Sequence, residues 1–214
     1  MISLLKILRE EIEREEENVT YKREVLNLSR DFIKQFNTKL GKRFKYETTG
    51  QVQGVDDMGE EIPFELTIRV VPNKKLEGYP YSIEAWAMTD EVEMNIEYNP
   101  LVFPAAFNDF IAEVKEGLRH EMEHIAQRQK KSKRITWVDR GDRSFYEYLL
   151  LPQEIPAYIR GLNTRAKTKR ITLSQAFEEY FNDYRDSFES ESEIELVRKE
   201  WLRWAKKNLP KTKI

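Results

Sequence analysis

The chain contains no cysteine, and only two of its 214 residues are histidine. The first absence excludes disulfides, cysteine-ligated zinc, iron–sulfur clusters and a thiol nucleophile. The second confines all imidazole chemistry to two positions. Long apolar runs are missing as well. The opening "MISLLKIL" passes directly into "REEIEREEEN". It is too short to span a membrane and lacks the basic lead and small-residue cleavage site of a signal peptide. A cytoplasmic location with no membrane partner is the expectation. Net charge is also nearly absent, with 36 basic against 38 acidic residues. No global field draws such a chain onto nucleic acid, and any binding of that kind needs a local patch.

What is present argues for a packed domain. Apolar residues make up 40%, including 11 Phe, 10 Tyr and 4 Trp, which excludes the low-hydrophobicity composition of a disordered chain. The length suits one domain with a sizeable core. No internal repeat, low-complexity tract or strong linker divides it, so residues 1–214 are read as a single α+β domain.

Four regions follow from the periodicity. Residues 1–40 form an N-terminal helical segment, with helices over 2–17 and 19–40 broken near Asn18 and Thr20; Val25, Leu26, Phe32, Ile33 and Phe36 recur at helical spacing in the second. The run Glu13–Glu17 reads as a solvated face. Residues 44–99 form a small antiparallel or mixed sheet. In it Phe64, Leu66, Ile68 and Val70 share one face, and Val92, Met94, Ile96 and Tyr98 another. The short link at Thr89–Glu91 predicts a hairpin between the last two strands. A long helix over 103–131 carries the stripe Phe107, Phe110, Ile111, Val114, Leu118, Met122 and Ile125. After a polar loop, residues 152–208 form C-terminal helices. The first is opened by Pro152 or Pro156, and the later two by capping boxes at Thr172/Gln175 and Ser192/Glu195. Trp201 and Trp204 sit at spacings that read as core.

Both histidines fall in "GLRHEMEHIAQ", as His120 and His124, with Glu121 after the first. Two histidines scattered at random fall four apart with a probability of about 1%, and with a glutamate after the first about 0.1%, so the pattern H-E-x-x-H is a poor candidate for accident. On a helix, positions i and i+4 share a face, and two imidazoles so placed can bind one zinc ion. The glutamate projects elsewhere and can serve a bound water as a base. Gly117, one turn before His120, makes room for a neighbouring strand, for substrate, or for plain close packing.

Catalytic zinc takes three protein ligands. With no other His and no Cys, the third has to be a carboxylate. Asp139, Asp142, Glu147 and Glu154 are the candidates. Glu154 is favoured because it opens a helix in which Ala157 allows close approach to the His120 helix; Glu147 is the reserve.

The segments "MNIEYNPLVFP", "IAEVKEGLRHEMEHIAQ" and "YLLLPQEIPAYIRGL" together resemble the zincin metallopeptidases of gluzincin type. Within that group the look is that of compact cytoplasmic or virus-encoded proteins. The matching parts are Asn99-Pro100, His120-Glu121-x-x-His124 and Pro152-x-Glu154-x-x-Ala157, and the likeness spans roughly 80–165. It implies a zinc cofactor held by His120, His124 and Glu154. It also implies Glu121 as general base and a peptide or protein substrate laid along an edge strand, which here would be the strand around Val92–Tyr98. Two departures stand out. Tyr158 occupies the place where gluzincins often carry a supporting Asp, and no further His is left to steady the transition state. Tyr146, Tyr148, Tyr158 or Arg160 would have to do so, and Tyr158 is carried as the catalytic candidate.

The departures keep a second reading open, a metal-binding or interaction protein on a zincin scaffold with little peptidase activity. A third is a nucleic-acid-associated protein using the basic runs 128–134 and 160–170, although exposed Lys/Arg runs more often serve solubility.

Overall fold

A computed structural model of the chain describes residues 23–53, 61–76, 79–128, 141 and 143–214. The helix expected over 2–17, the candidate ligands Asp139 and Asp142, and residues 129–134 of the first basic run lie outside the described residues. The expected α+β architecture is present.

A first helix, α1, covers 23–38 of the described chain. It ends at Gly41, whose φ of 81° only glycine adopts freely. The Gly41 amide donates to the Tyr98 hydroxyl at 2.6 Å, which ties the end of α1 to the sheet. Four strands follow: β1 Phe44–Gln53, β2 Glu61–Pro72, β3 Tyr81–Ala87 and β4 Glu91–Tyr98. The sheet is mixed, in the order β1-β2-β4-β3. β1 pairs antiparallel with β2 (Phe44 opposite Val70) and β2 parallel with β4 (Leu66 opposite Val92), while β3 and β4 form the expected hairpin (Ile83 opposite Ile96).

The period-2 alternation sends Phe64, Leu66, Ile68 and Val70 of β2 and Val92, Met94, Ile96 and Tyr98 of β4 to one buried face. Phe32 and Phe36 of α1 and Phe110, Val114 and Leu118 of a long helix cover it, all in one apolar cluster. Burying each such side chain contributes roughly 1.5–3 kcal/mol. The other face is polar, with a bidentate pair from Arg69 to Glu93 at 2.6 and 2.8 Å.

One expectation is corrected here. β4 is not an edge strand: it lies between β2 and β3, and the edge strands among the described residues are β1 and β3. Alternation reports which face a side chain takes, and says nothing about which strand lies alongside.

From β4 the chain turns at Asn99. Its side-chain oxygen accepts from the Leu101 amide, and its carbonyl from those of Val102 and Phe103. This turn feeds a 3-10 turn, Phe103–Ala106, and then α2, Phe107–Arg128. The C-terminal part holds α3 (Phe145–Leu149), α4 (Glu154–Lys169), α5 (Leu173–Asp183) and α6 (Glu191–Asn208). A second apolar cluster binds these together around Trp201 and Phe177. The Thr172/Gln175 capping box forms as expected. The Ser192/Glu195 box does not: α6 starts earlier, with Ser190 at its cap. No helix among the described residues is long and apolar enough to cross a membrane.

Candidate metal centre

Two helices, α2 and α4, pack along one another and carry the residues of interest. Glycines set their distance. A Cβ on Gly161 of α4 would stand 3.1 Å from the Glu116 carbonyl oxygen and 3.5 Å from His120 Cβ, so only glycine brings the helices this close. On the adjoining face of α2, a Cβ on Gly117 would meet Met94 of the sheet at 3.2 Å. Gly117 therefore serves close packing against the sheet. Pro156 falls in the first turn of α4, where its missing N–H has no intrahelical acceptor to lose.

This packing brings His120, His124 and Glu154 together. Nε2 of His124 lies 3.0 Å from Nε2 of His120. Oε2 of Glu154 lies 3.4 Å from the first and 3.5 Å from the second. Ligands about 2.0–2.1 Å from a tetrahedral zinc stand about 3.3 Å apart, so this triangle has the edge lengths of a zinc site. Glu154 is buried at 5% exposure, yet its Oε2 accepts no well-formed hydrogen bond from a described residue. A buried carboxylate oxygen left so is costly unless a cation meets it. The residues present therefore fit the ion that the sequence pattern implies.

The electrostatics agree. Burial works to raise the Glu154 carboxyl, but the two imidazoles beside it outweigh burial and bring it to about 2. Burial works to lower His124, but Glu154 and Glu121 outweigh it and the imidazole sits above its ordinary range. The two shifts are one coupling: the Glu154 carboxylate and the imidazoles beside it each favour the charged form of the other.

Glu121 is buried on the adjoining strip of α2, its Oε1 3.9 Å from His120 Nε2, and outside the donor triangle. A cleft of about 210 Å³ opens over His120 and Glu121 and is also lined by Tyr148, Tyr158, Ile83 and Ala85. The Tyr158 ring stands edge-on to His120 at 4.5 Å and stacks on Trp201 at 5.5 Å. Burial first, then nearby tyrosine, raises the Tyr158 phenol well up, and burial with the Glu154 charge does the same for Tyr148. Both hydroxyls stay protonated donors at neutral pH.

The other candidates lie elsewhere. Glu147, the reserve ligand, is exposed and accepts the Ser144 amide at the start of α3, 3.0 Å away. Tyr146 packs against the second apolar cluster. Arg160 points behind the site, where it donates to Glu123 at 3.0 Å beside Arg119, which also donates to Glu123. In the second basic run, Arg165 pairs with Glu116 and Lys169 with Asp109 and Glu179, so these two, like Arg160, are engaged within the fold.

Sequence reasoning passed over Gln127. It is buried at 3% exposure, and its side chain meets His124 Nδ1 at 3.3 Å and the Gln153 carbonyl at 3.0 Å. Its position three residues after His124, on the same face, was the available signal.

Next to the first cleft lies a larger one of about 790 Å³, lined by Tyr81, Glu113, Glu116 and Arg165 among others. The Tyr81 hydroxyl donates to Glu113 at 2.9 Å. Burial raises the Glu116 carboxyl to about 7, with Arg165 beside it limiting the rise. For an acid raised on folding, stability falls as pH climbs from the ordinary 4.5 to about 7, by about 3 kcal/mol in all. Glu116→Gln is therefore expected to match wild type near about pH 4 and to exceed it by up to about 3 kcal/mol near about pH 8. Urea unfolding at the two pH values checks this. A variant less stable than wild type at the higher pH would mean that the Arg165 pair outweighs the cost of burial.

Comparison with protein-family models, curated proteins and solved structures finds no match to this chain.

Proposed function

We propose that the protein is a zinc-dependent metallopeptidase, with His120, His124 and Glu154 as metal ligands and Glu121 as general base. One observation carries the reading: three donor atoms from two helices, 3.0–3.5 Å apart, around a buried carboxylate oxygen that accepts no well-formed hydrogen bond from a described residue. When bound, zinc supplies the Lewis acidity that lowers the pKa of water towards neutral and polarises a peptide carbonyl.

The remaining work falls to the chain. Glu121, at the floor of the cleft, takes the proton of the attacking water and returns it to the leaving amine. The Tyr148 or Tyr158 hydroxyl donates to the oxygen that gains charge. Tyr158 has the harder access, wedged as it is between His120 and Trp201. The outer edge of β3 pairs with no strand among the described residues, and Ile83 and Ala85 of that strand line the cleft. An extended peptide can add to this edge through main-chain hydrogen bonds.

A second reading, metal binding with little hydrolysis, is favoured by the wedging of the partly buried Tyr158 between His120 and Trp201 and by the lack of any third histidine. The inward pairing of Arg165 and Lys169 disfavours a nucleic-acid role.

The test is metal analysis of the purified protein. Wild type is expected to carry near-stoichiometric zinc. His120→Ala and Glu154→Ala are each expected to weaken binding by about 10²–10³-fold, a quarter or so of the free energy of a structural zinc site. A wild type that takes up no zinc on reconstitution would overturn the proposal.

A further inference from the structure

We infer that Gln127 fixes the tautomer of His124 and so readies its Nε2 as a ligand; the consequence for metal, though not the tautomer itself, rests on the zinc reading above. The argument starts from a backbone carbonyl. The Gln153 oxygen can only accept, so the side-chain atom of Gln127 lying 3.0 Å from it is the amide nitrogen, which donates. The amide oxygen of Gln127 then faces His124 Nδ1 at 3.3 Å. An amide oxygen can only accept, so Nδ1 carries the hydrogen. In a neutral imidazole the other nitrogen is then bare. That nitrogen, Nε2, is the atom 3.4 Å from Glu154 Oε2 and 3.0 Å from His120 Nε2.

Burial makes the relay effective. Gln127 is 3% exposed and Gln153 2%, so water does not compete for either contact. The 3.0 Å contact between the two imidazoles also acquires a direction: with His124 Nε2 bare, His120 is the donor in it. Gln127 does a second thing at once. It joins α2 to the residue that precedes Glu154, so one side chain orients a ligand on one helix and registers the ligand on the other. Metal-bound histidines commonly donate their second nitrogen to a carboxylate or carbonyl oxygen. A neutral amide does the same orienting without adding charge, and Glu154 remains the only anion in the donor set.

The test uses metal-free protein with ¹⁵N-labelled histidine, at a pH high enough that the histidine spectra no longer change with pH. Because only two histidines exist, His120→Ala assigns the spectrum. His124 is expected as the Nδ1–H form. In Gln127→Met, which keeps the length but has no amide, it becomes a mixture, and zinc affinity by chelator competition falls about 10–100-fold. Gln127→Glu keeps an acceptor and is expected to keep the Nδ1–H form. A wild-type His124 carrying its hydrogen on Nε2 overturns the inference, as does a Gln127→Met protein with tautomer and affinity unchanged. If Gln127→Met fails to fold, the wild-type and Gln127→Glu spectra still decide. If wild type binds no zinc, the peptidase reading falls, while the tautomer measurement still decides the role of Gln127.

Discussion

Glu121→Gln is expected to retain zinc at the wild-type stoichiometry and to lower peptide hydrolysis by about 10²–10⁴-fold. That range corresponds to about 3–5 kcal/mol of barrier, at 1.36 kcal/mol for each factor of ten. The substitution is nearly isosteric, so a side chain only 6% exposed keeps its packing. What changes is basicity: an amide cannot take up the proton. Metal content should be spared because Glu121 stands beside the donor triangle and not in it, 3.9 Å from His120 Nε2. The loss should fall on kcat, since a base contributes in the transition state and little to substrate binding. Zinc content and hydrolysis of a generic peptide, measured on the same preparation, check this. A variant that hydrolyses at the wild-type rate removes Glu121 as the base. A variant that loses zinc makes Glu121 a ligand instead. A wild type that binds zinc and cleaves nothing favours the second reading, metal binding alone.

How much of this was legible in the sequence depends on the range of the interaction that decides each feature. Val92, Met94, Ile96 and Tyr98 announced a half-buried strand, and all four are buried, because a period of two is written into the chain itself. The antiparallel neighbour of β4 was legible in the short Thr89–Glu91 link, but its parallel neighbour β2 was not, since that partner comes from a segment far apart and alternation is blind to it. The five-residue α3 was missed because it is too short to display a 3.6-residue period. At α6 two serines competed for the cap, and the pattern around Ser192 looked better than the one at Ser190 that the helix uses.

The donor set was the most legible part of the site. The lack of cysteine and of further histidine left only carboxylates for a third ligand, and among the described residues Glu154 lies beside both imidazoles. The supporting residues were not legible, for a physical reason. Gln127 acts through a backbone carbonyl, which has no signature in a sequence. Arg160 is drawn away from the cleft by Glu123, 37 positions earlier, and the partnership appears only once α2 and α4 pack together.

Trp201→Ala is expected to cost about 3–5 kcal/mol, the range for truncating a large buried aromatic, out of the 5–15 kcal/mol that typically holds a domain together. Trp201 is fully buried, and its ring contacts Tyr158, Phe177, Tyr180 and Phe181 at 5.3–5.5 Å. Its indole nitrogen donates to the Leu149 carbonyl at 3.2 Å, so truncation leaves a cavity and also strands a buried acceptor, which adds about 1–3 kcal/mol. The carbonyl belongs to the end of α3, and Tyr158 belongs to α4 beside His120. The cavity therefore opens under the helix that carries Glu154, and zinc affinity should fall along with stability. Trp204→Ala is the comparison: that ring is only partly buried, with Arg160 over it at 5.9 Å, and its loss should cost less. Urea midpoints at unchanged slope separate the two. Equal costs would mean that Trp201 is not the centre of the second apolar cluster. A Trp201→Ala protein that is destabilised but binds zinc as wild type does would mean that the metal centre is held by α2 and α4 alone, independent of the aromatic layer beneath Tyr158.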